Sequence, residues 1–451
     1  MCGIGGMVGN NWNEHQLTCM LEIQSHRGPD DNGKFIDPTK KVGLIHNRLK
    51  IIDLSDSGRQ PMSNTDGSLW IVFNGEIYNF VELKSELSNY RYKTKTDTEV
   101  ILAAYERWGE ECVEHFVGMF SFAIWEPKKD RVFCARDRLG IKPFYYTLND
   151  GCFIFSSEIK SILATGHPVR PNMNIWSQYL VQGYYEHSTD TFFENIKSLG
   201  AGMTLVFENQ NIIEKSYWDL YQTTKEDSHT YEINKTESLK ELIDESVKLR
   251  LRSDVPLGVN LSGGIDSASL ATTMLGILPT NSELNAFTAS YSEAKYDELQ
   301  FASEVLKNKN INLHTSRLKA DEVADLTAKC MWHQEGPFGG ISTLSYYKLH
   351  QLAKDEKVTV LLEGQGIDEL FAGYRYFYPA YLSDLMLKNK SNELNAEIQN
   401  NNPNIANILA QSKVIAQGGN PNTYQDGTQH LKLECISPNF ITEYNSAPIF
   451  P

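Results

Sequence analysis

MCGIGG, residues 1–6, governs the reading of this chain. Removal of Met1 leaves Cys2 with a thiol and a free α-amine on one residue. That combination is a nucleophile carrying its own base. An α-amine has a reference pKa of about 8, near that of a thiol, so at neutral pH it accepts the thiol proton directly or through one water. A cysteine at position 2 also fits an incidental residue at a frayed terminus, and the segments behind it decide between the two.

Three of those segments suit an amino acid amide. In HNRLKIID, residues 46–53, Arg48 offers a rigid fork of donors to a carboxylate. In NGEIYN, residues 74–79, the Asn74 side chain and the Gly75 backbone N–H offer two donors to a developing oxyanion. In KTDTEV, residues 95–100, Asp97 suits an ammonium. Each has a structural counterpart: a solvated arginine, an Asn-Gly hairpin turn, and an aspartate capping a helix.

Composition bounds the classes. A chain of 451 residues exceeds what one core usually serves, which predicts two domains. A net charge of -15 argues against nucleic-acid or membrane-surface partners, while local backbone amides can still hold an anion. Seven cysteines without a CxxC pair disfavour a disulfide framework or a zinc site. With no signal peptide or bilayer-length apolar run, a cytoplasmic enzyme is expected.

Residues 1 to about 210 read as short strands broken by turns, the clearest being 42–46, 69–73, 119–125, 131–135 and 152–155. Residues 82–87 and 97–108 read as helices. The polar stretch 221–234 is expected to be a linker. Beyond it, strands at 257–261, 284–289 and 358–362 alternate with helical patterns at 268–275, 297–306 and 341–352, which predicts a parallel sheet with crossover helices. The Asn-rich stretch 388–407 reads as a loop or weak helix.

Two later motifs carry phosphate chemistry. VPLGVNLSGGIDS, residues 255–267, is an apolar strand entering Ser262-Gly263-Gly264 and a helix. The exposed N–H groups at such a turn suit pyrophosphate, Ser262 and Ser267 add hydroxyls, and Asp266 is suited to Mg2+. No Lys-Ser/Thr follows, so this is not the Walker pattern. LLEGQGIDELFAGY, residues 361–374, repeats strand, glycine-rich turn and helix start, with Asp368 as a second Mg2+ ligand. Glu335, ahead of Gly336-Pro337-Phe338, is a further acid or base on an expected loop.

Taken in order, MCGIGG, HRGPD (26–30), HNRLKIID, NGEIYN, TDTEV (96–100), GMFSFAIWE (118–126), RDRLGIKPFYY (136–146) and SSEIKSI (156–162) resemble the glutaminase domain of the class II amidotransferases. SGGIDS resembles the pyrophosphate loop of the ATP pyrophosphatases. Its pairing with GQGIDELFAGY resembles the glutamine-hydrolysing asparagine synthetases. The resemblance implies an α+β N-terminal nucleophile hydrolase sandwich over residues 1–215. An α/β parallel-sheet ATP pyrophosphatase domain over residues 235–451 would follow it. It further implies that Cys2 attacks the glutamine side-chain amide, with Arg48 on the α-carboxylate and Glu76 and Asp97 on the amino group. Asn74 and Gly75 would take the oxyanion, and the backbone of Ile51 and Ile52 would line the pocket. Ammonia would pass through an internal tunnel to β-aspartyl-AMP, made from aspartate and ATP with Mg2+. By matching, Leu261, Ala289, Glu363 and Gly364 border the adenosine. Ser262, Gly263, Gly264, Asp266 and Ser267 take the pyrophosphate. Relatives are often homodimers.

Two departures qualify this. Where many asparagine synthetases carry Ser-Gly-Glu-Gly-Ser-Asp-Glu, this chain has Gln365 in place of the acid associated with adenylation. An amide orients by hydrogen bonds but does not exchange a proton as a carboxylate does. A branch of relatives shares Gln here together with a segment like EGPFGG. The Arg-x-x-Asp-Arg-x-Ser-Met and Pro-Phe-Leu-Asp stretches of relatives, and a Lys near the phosphates, do not occur between Arg375 and Pro451, so the synthetase region is expected to be incomplete at its C-terminal end. The alternatives are another carboxylate as acceptor, such as a surface sugar or secondary metabolite, or a glutaminase whose second domain is not catalytic.

Overall fold

Short strands whose side chains alternate between two cores build most of the first half. The computed structural model describes residues 1–37, 42–226, 235–279, 282–293, 297–307, 309–374, 377–399, 405–418 and 436–444. They divide into two units, Met1–Pro171 with Ser188–Leu362, and Asn172–His187 with Glu363–Pro451.

The first unit holds three sheets. Its antiparallel strands are β1 (Gly3–Gly9), β2 (Asp31–Asp37), β3 (Val42–Arg48), β4 (Met62–Ser63), β5 (Trp70–Ile77), β6 (Gly118–Glu126), β7 (Arg131–Arg136), β8 (Tyr145–Asn149), β9 (Cys152–Ser156), β10 (Lys197–Ser198), β11 (Met203–Glu208) and β12 (Asn211–Ser216). They form a six-stranded sheet in the order β10-β8-β9-β1-β3-β2 and another in the order β12-β11-β7-β6-β5-β4. The inner faces share one core, with Ile4, Leu44 and Phe153 from the first sheet against Val72, Trp125 and Leu205 from the second. Burial of a side chain such as Phe153 stabilises by roughly 1.5–3 kcal/mol relative to exposure. The outer faces are covered by helices. Thr98–Trp108 buries Val100 to Tyr105 against the second sheet, and Glu14–Ile23 with Ile159–Leu163 packs on the first. This is the stacked-sheet sandwich between helices that the N-terminal nucleophile reading implies.

The third sheet is parallel, with β13 (Leu257–Asn260), β14 (Leu284–Ser290), β15 (Ile311–Arg317) and β16 (Val360–Leu362) in the order β15-β14-β13-β16. Parallel strands need both faces covered. Val247, Ala271 and Ala302 of three helices cover one face, and Leu349 and Ala353 of helix Ile341–Asp355 cover the other around Phe287. The chain winds from β13 through β14 to β15, then returns to the far side of β13. That makes β13/β16 a topological switch point, where ligands of open α/β sheets bind beyond the strand ends.

The second unit is helical among its described residues. Helices Phe377–Leu387 and Ile405–Ala416 pack together, and the Ser177 hydroxyl of helix Met173–Gln182 donates to the Tyr444 carbonyl at 2.9 Å. Of the expected linker, 221–226 continues helix Leu220–Glu226 and 227–234 lies outside the described residues. Of the Asn-rich stretch, 391–399 is helix Ser391–Gln399, 400–404 lies outside the described residues, and helix Ile405–Ala416 follows.

Candidate active sites

The register of the sandwich gathers the first set of residues. Cys2 precedes β1, whose Gly3 pairs with Asn47, so the thiol lies beside the end of β3 at Arg48. The Leu49 N–H donates toward the Cys2 sulfur at 3.4 Å. Burial pushes the Cys2 thiol up, while the neighbouring terminal amine and the Leu49 N–H pull it back toward the thiolate. His46 Nε2 donates to the Phe73 carbonyl at 3.1 Å, tying β3 to β5 and hence the Cys2 end to Asn74.

Each structural counterpart gives way here. Arg48 is 4% exposed, and its guanidinium donates to the carbonyls of Ser55 at 2.7 Å, Ile52 at 3.5 Å and Asp53, so the 51–55 loop wraps it. A Cβ on Gly58 would lie 2.0 Å from Arg48 Nη2. Asn74-Gly75 is no hairpin turn. It lies inside β5, with Asn74 opposite Ser121 and Gly75 opposite Phe120, and a Cβ on Gly75 would meet the Met119 carbonyl at 2.2 Å. Asn74 is fully buried, and among the described residues neither end of its amide has a hydrogen-bond partner. Asp97 occupies the N-cap position of helix Thr98–Trp108 but makes no side-chain cap; it accepts instead from the Ile77 N–H at 2.9 Å.

Glu76 and Asp97 are buried together, and the charges of Lys142 on Glu76 and Lys84 on Asp97 offset their burial only in part. Burial raises Glu76, and the Asp97 charge raises it further. Burial lifts Asp97 to about 6 against the pull of the Ile77 N–H. An ammonium between them would relieve both. The site as a whole pairs a thiol, buried acids for a cation and an unpaired amide.

Residues that the sequence reading did not single out support this constellation. Arg27 Nε donates to the Cys2 carbonyl at 2.9 Å and Nη1 to Glu158 at 3.1 Å. Glu158 also bonds His26 and Lys160, each at 2.9 Å. Burial opposes its ionisation, but the His26 bond and the Arg27 and Lys160 charges prevail and hold it at about 2. Arg27 and Glu158 stand inside HRGPD and SSEIKSI, so the signal was present without an assigned role.

Glu335 differs from its expected loop setting. It ends helix Val323–Gln334 in a left-handed conformation, φ 61°. Its carboxylate accepts from the N–H groups of Ile159 at 2.7 Å and Lys160 at 2.6 Å and pairs with Lys160 Nζ at 2.9 Å. Trp332 of the same helix lies 4.5 Å from Lys160 Nζ, ring centroid to nitrogen. The physical reason is that helix Ile159–Leu163 has no side-chain cap of its own, so Glu335 serves its first amides.

The phosphate-loop candidates sit at the switch point. Asn260 ends β13, Leu261 N–H donates to the Phe287 carbonyl at 2.8 Å, and Ser262-Gly263-Gly264 leads into helix Ile265–Ile277. The Ser262 and Ser267 hydroxyls are 3.1 Å apart, and Gly264 N–H donates to Ser262 Oγ at 3.3 Å. Gly263 has φ +84°, and a Cβ there would fall 2.8 Å from Phe301 Cβ, so only glycine fits. Gly264 gives the helix no side-chain cap, Asp266 lies in its first turn, and Ala289 lies in β14. Backbone donors and dipole at this N-terminus suit a phosphate.

Glu363, Gly364, Gln365 and Asp368 fall in the second unit. Gly366 takes φ +93° before helix Ile367–Phe371, and the Asp368 carboxylate lies against Gly373, whose N–H donates to the Asp368 carbonyl at 2.8 Å. Among the described residues no group of three or more His, Cys, Asp or Glu side chains could hold a metal ion. No helix among them is long and apolar enough to cross a membrane.

Comparison with known proteins matches residues 1–218 to a glutamine amidotransferase domain and residues 238–431 to asparagine synthase. A Methanocaldococcus jannaschii protein, provisionally named glutamine-hydrolysing asparagine synthetase 2, is 37% identical over 86% of this chain and 78% of its own length. Asparagine synthetase (glutamine-hydrolysing) 2 of Bacillus subtilis is 37% identical over 83% of this chain, which spans 52% of that protein. Amidase chry2 of Gibberella zeae is 31% identical over 82% of this chain and 57% of its own length.

Proposed function

Because this chain belongs to the family of glutamine-hydrolysing asparagine synthetases, we propose that it makes asparagine from aspartate, ATP and glutamine through β-aspartyl-AMP. Residues 1–215 release the ammonia and residues 235–451 consume it, in the cytoplasm and without nucleic-acid or membrane partners; a homodimer is part of the proposal. With Met1 removed, the Cys2 amine takes the thiol proton and the thiolate attacks the glutamine side-chain amide, expelling ammonia and leaving a glutamyl thioester that water hydrolyses. Arg48 takes the α-carboxylate, Asp97 and Glu76 the ammonium, and the Ile51 and Ile52 backbone lines the pocket. The Asn74 amide and the Gly75 N–H take the oxyanion, a role worth about 3 kcal/mol per donor.

The observation that carries this reading is the Asn74 amide, fully buried with neither end paired among the described residues. A protein tolerates such a group where a ligand completes it.

In the second reaction aspartate attacks the α-phosphorus of ATP. Ser262, Gly263, Gly264 and Ser267 hold the departing pyrophosphate, and Leu261, Ala289, Glu363 and Gly364 border the adenosine. Asp266 and Asp368 are the residues that would hold Mg2+ brought by the nucleotide, and the ion would supply charge neutralisation at the phosphates. Glu335 is engaged with Ile159 and Lys160, which leaves Gln365 as the group orienting adenylation. The amidase relative supports a second reading in which another carboxylate replaces aspartate.

The test is glutamate release from glutamine and aspartate-dependent pyrophosphate release from ATP. Cys2→Ala abolishes the first and keeps ammonia-supported amidation. Glutamine hydrolysis that persists in Cys2→Ala would falsify the nucleophile assignment; pyrophosphate released only with another carboxylate selects the second reading.

A further inference from the structure

Three residues ahead of β13, Arg250, Arg252 and Asp254, reach both rims of the proposed glutamine pocket. Asp254 exchanges bonds with the 51–55 loop: its N–H donates to the Ile51 carbonyl at 3.0 Å, and its Oδ2 accepts from the Asp53 N–H at 2.8 Å. Asp53 sits in the left-handed region, φ 57°, and its side chain accepts from Ser55 N–H at 3.1 Å and from Lys95 N–H at 2.9 Å, two residues before Asp97. The carbonyls of Ile52, Asp53 and Ser55 in the same loop surround Arg48. On the other rim, Arg252 donates to the Tyr78 carbonyl at 2.6 Å and grips both oxygens of Glu82, each at 2.6 Å. The Arg250 guanidinium covers the Tyr78 ring at 4.8 Å. Tyr78 follows Ile77, whose N–H holds Asp97.

We propose that Asp254, seconded by Arg252, is a positioning residue for glutamine: from the segment ahead of β13 it fixes the backbone cage around Arg48 and so sets glutamine affinity. The inference rests on the assignment of Arg48 to the glutamine α-carboxylate. Arg48 makes its bonds to backbone carbonyls, and a carbonyl cage is only as fixed as the loop that presents it. Asp53 holds its loop in a left-handed conformation that costs on its own, and the bonds from Lys95 and Asp254 outside the loop add to the Ser55 bond within it to maintain that conformation. The Asp254 carboxylate is the charged acceptor on that peptide, and a charge-assisted bond is roughly twice as strong as a neutral one. Asp254 touches neither Cys2 nor the oxyanion donors, so its loss falls on binding and spares the chemical step.

Glutamine hydrolysis by the full chain tests this. D254A raises KM for glutamine by about 10- to 100-fold, the loss of one charge-assisted bond, with kcat at saturating glutamine within about threefold of wild type. D254N, which keeps a neutral acceptor oxygen, recovers about half of that free energy and leaves KM about 3- to 10-fold above wild type. R252A raises KM by a smaller factor and supplies the measurement should D254A not fold. Unchanged KM in a folded D254A or, failing that variant, in R252A overturns the assignment; so does an equal loss in D254N. A wild-type chain that hydrolyses no glutamine refutes the Cys2 reading instead, whereas an active wild type confines failure to Asp254.

Discussion

Replacing Asn74 with alanine separates activity from stability in a way few substitutions do. The Asn74 side chain is fully buried on β5, and neither its NH2 nor its carbonyl is paired among the described residues. Burial of an amide without a partner costs about 1–3 kcal/mol. Truncation to alanine returns that cost and leaves a small cavity in exchange, a term of similar size and opposite sign. The net change in folding free energy is expected within about 1 kcal/mol of zero, a shift of only a few degrees in Tm. The chemical step fares differently. Loss of one of two oxyanion donors removes about 2.7–4 kcal/mol of transition-state stabilisation, a fall of about 10²–10³ in kcat. Glutamate release with and without saturating glutamine gives kcat and KM, and calorimetry or denaturant titration gives stability. A variant with kcat within threefold of wild type, or one that loses several kcal/mol of stability, refutes the reasoning, because Asn74 would then be a packing residue.

Two other outcomes follow from the geometry. Asp97 is raised by burial from 3.8 to about 6, so its protonated form favours the fold; that contribution is full below about pH 3.8 and is lost as pH rises through about 6. Asp97→Asn, which keeps an acceptor for the Ile77 N–H, should gain in Tm over wild type between pH 5 and pH 7.5 while its glutamine KM rises sharply; an unchanged Tm difference across that range contradicts the burial argument. Gly263→Ala forces a side chain into φ +84° and to 2.8 Å from Phe301 Cβ. Aspartate-dependent pyrophosphate release should fall at least tenfold, while glutamine hydrolysis stays within twofold, and equal loss of both reactions would contradict the assignment of the loop.

The legible parts of the fold were those with apolar alternation and those with chemical motifs. β3, β5, β6, β7 and β9 carry buried runs bounded by turns, and β13, β14 and β16 carry the short apolar runs of covered strands. β1 escaped because Gly3, Gly5, Gly6 and Gly9 make it compositionally a loop, though it is buried almost throughout. β15, INLHTSR, is a sheet edge with exposed polar residues and no apolar run. Helix Val323–Gln334 had its signal, Val323, Leu326 and Cys330 at helical spacing, but its polar remainder hid it. Within the candidate site, Cys2, Arg48, Asn74 and Asp97 were readable because each stands in a short motif whose side-chain chemistry is legible by itself. Asp254 was not, since it acts on the backbone of Ile51 and Asp53 some 200 positions earlier, a pairing that no local pattern encodes.

The bond from Glu335 to the first amides of helix Ile159–Leu163 bears on dissection of this protein. An engineer cutting after residue 215 to isolate the glutamine amidotransferase half would leave that helix bare, strip Trp332 from Lys160 and leave Lys160 with Glu158 but without Glu335. Lost caps of this kind cost about 0.5–2 kcal/mol. The natural repair, a short capping residue at position 158, is barred, because Glu158 already holds Arg27 against the Cys2 carbonyl. A usable excised half would need its cap rebuilt from another part of the sequence, or a peptide corresponding to helix Val323–Gln334 with Glu335 supplied alongside.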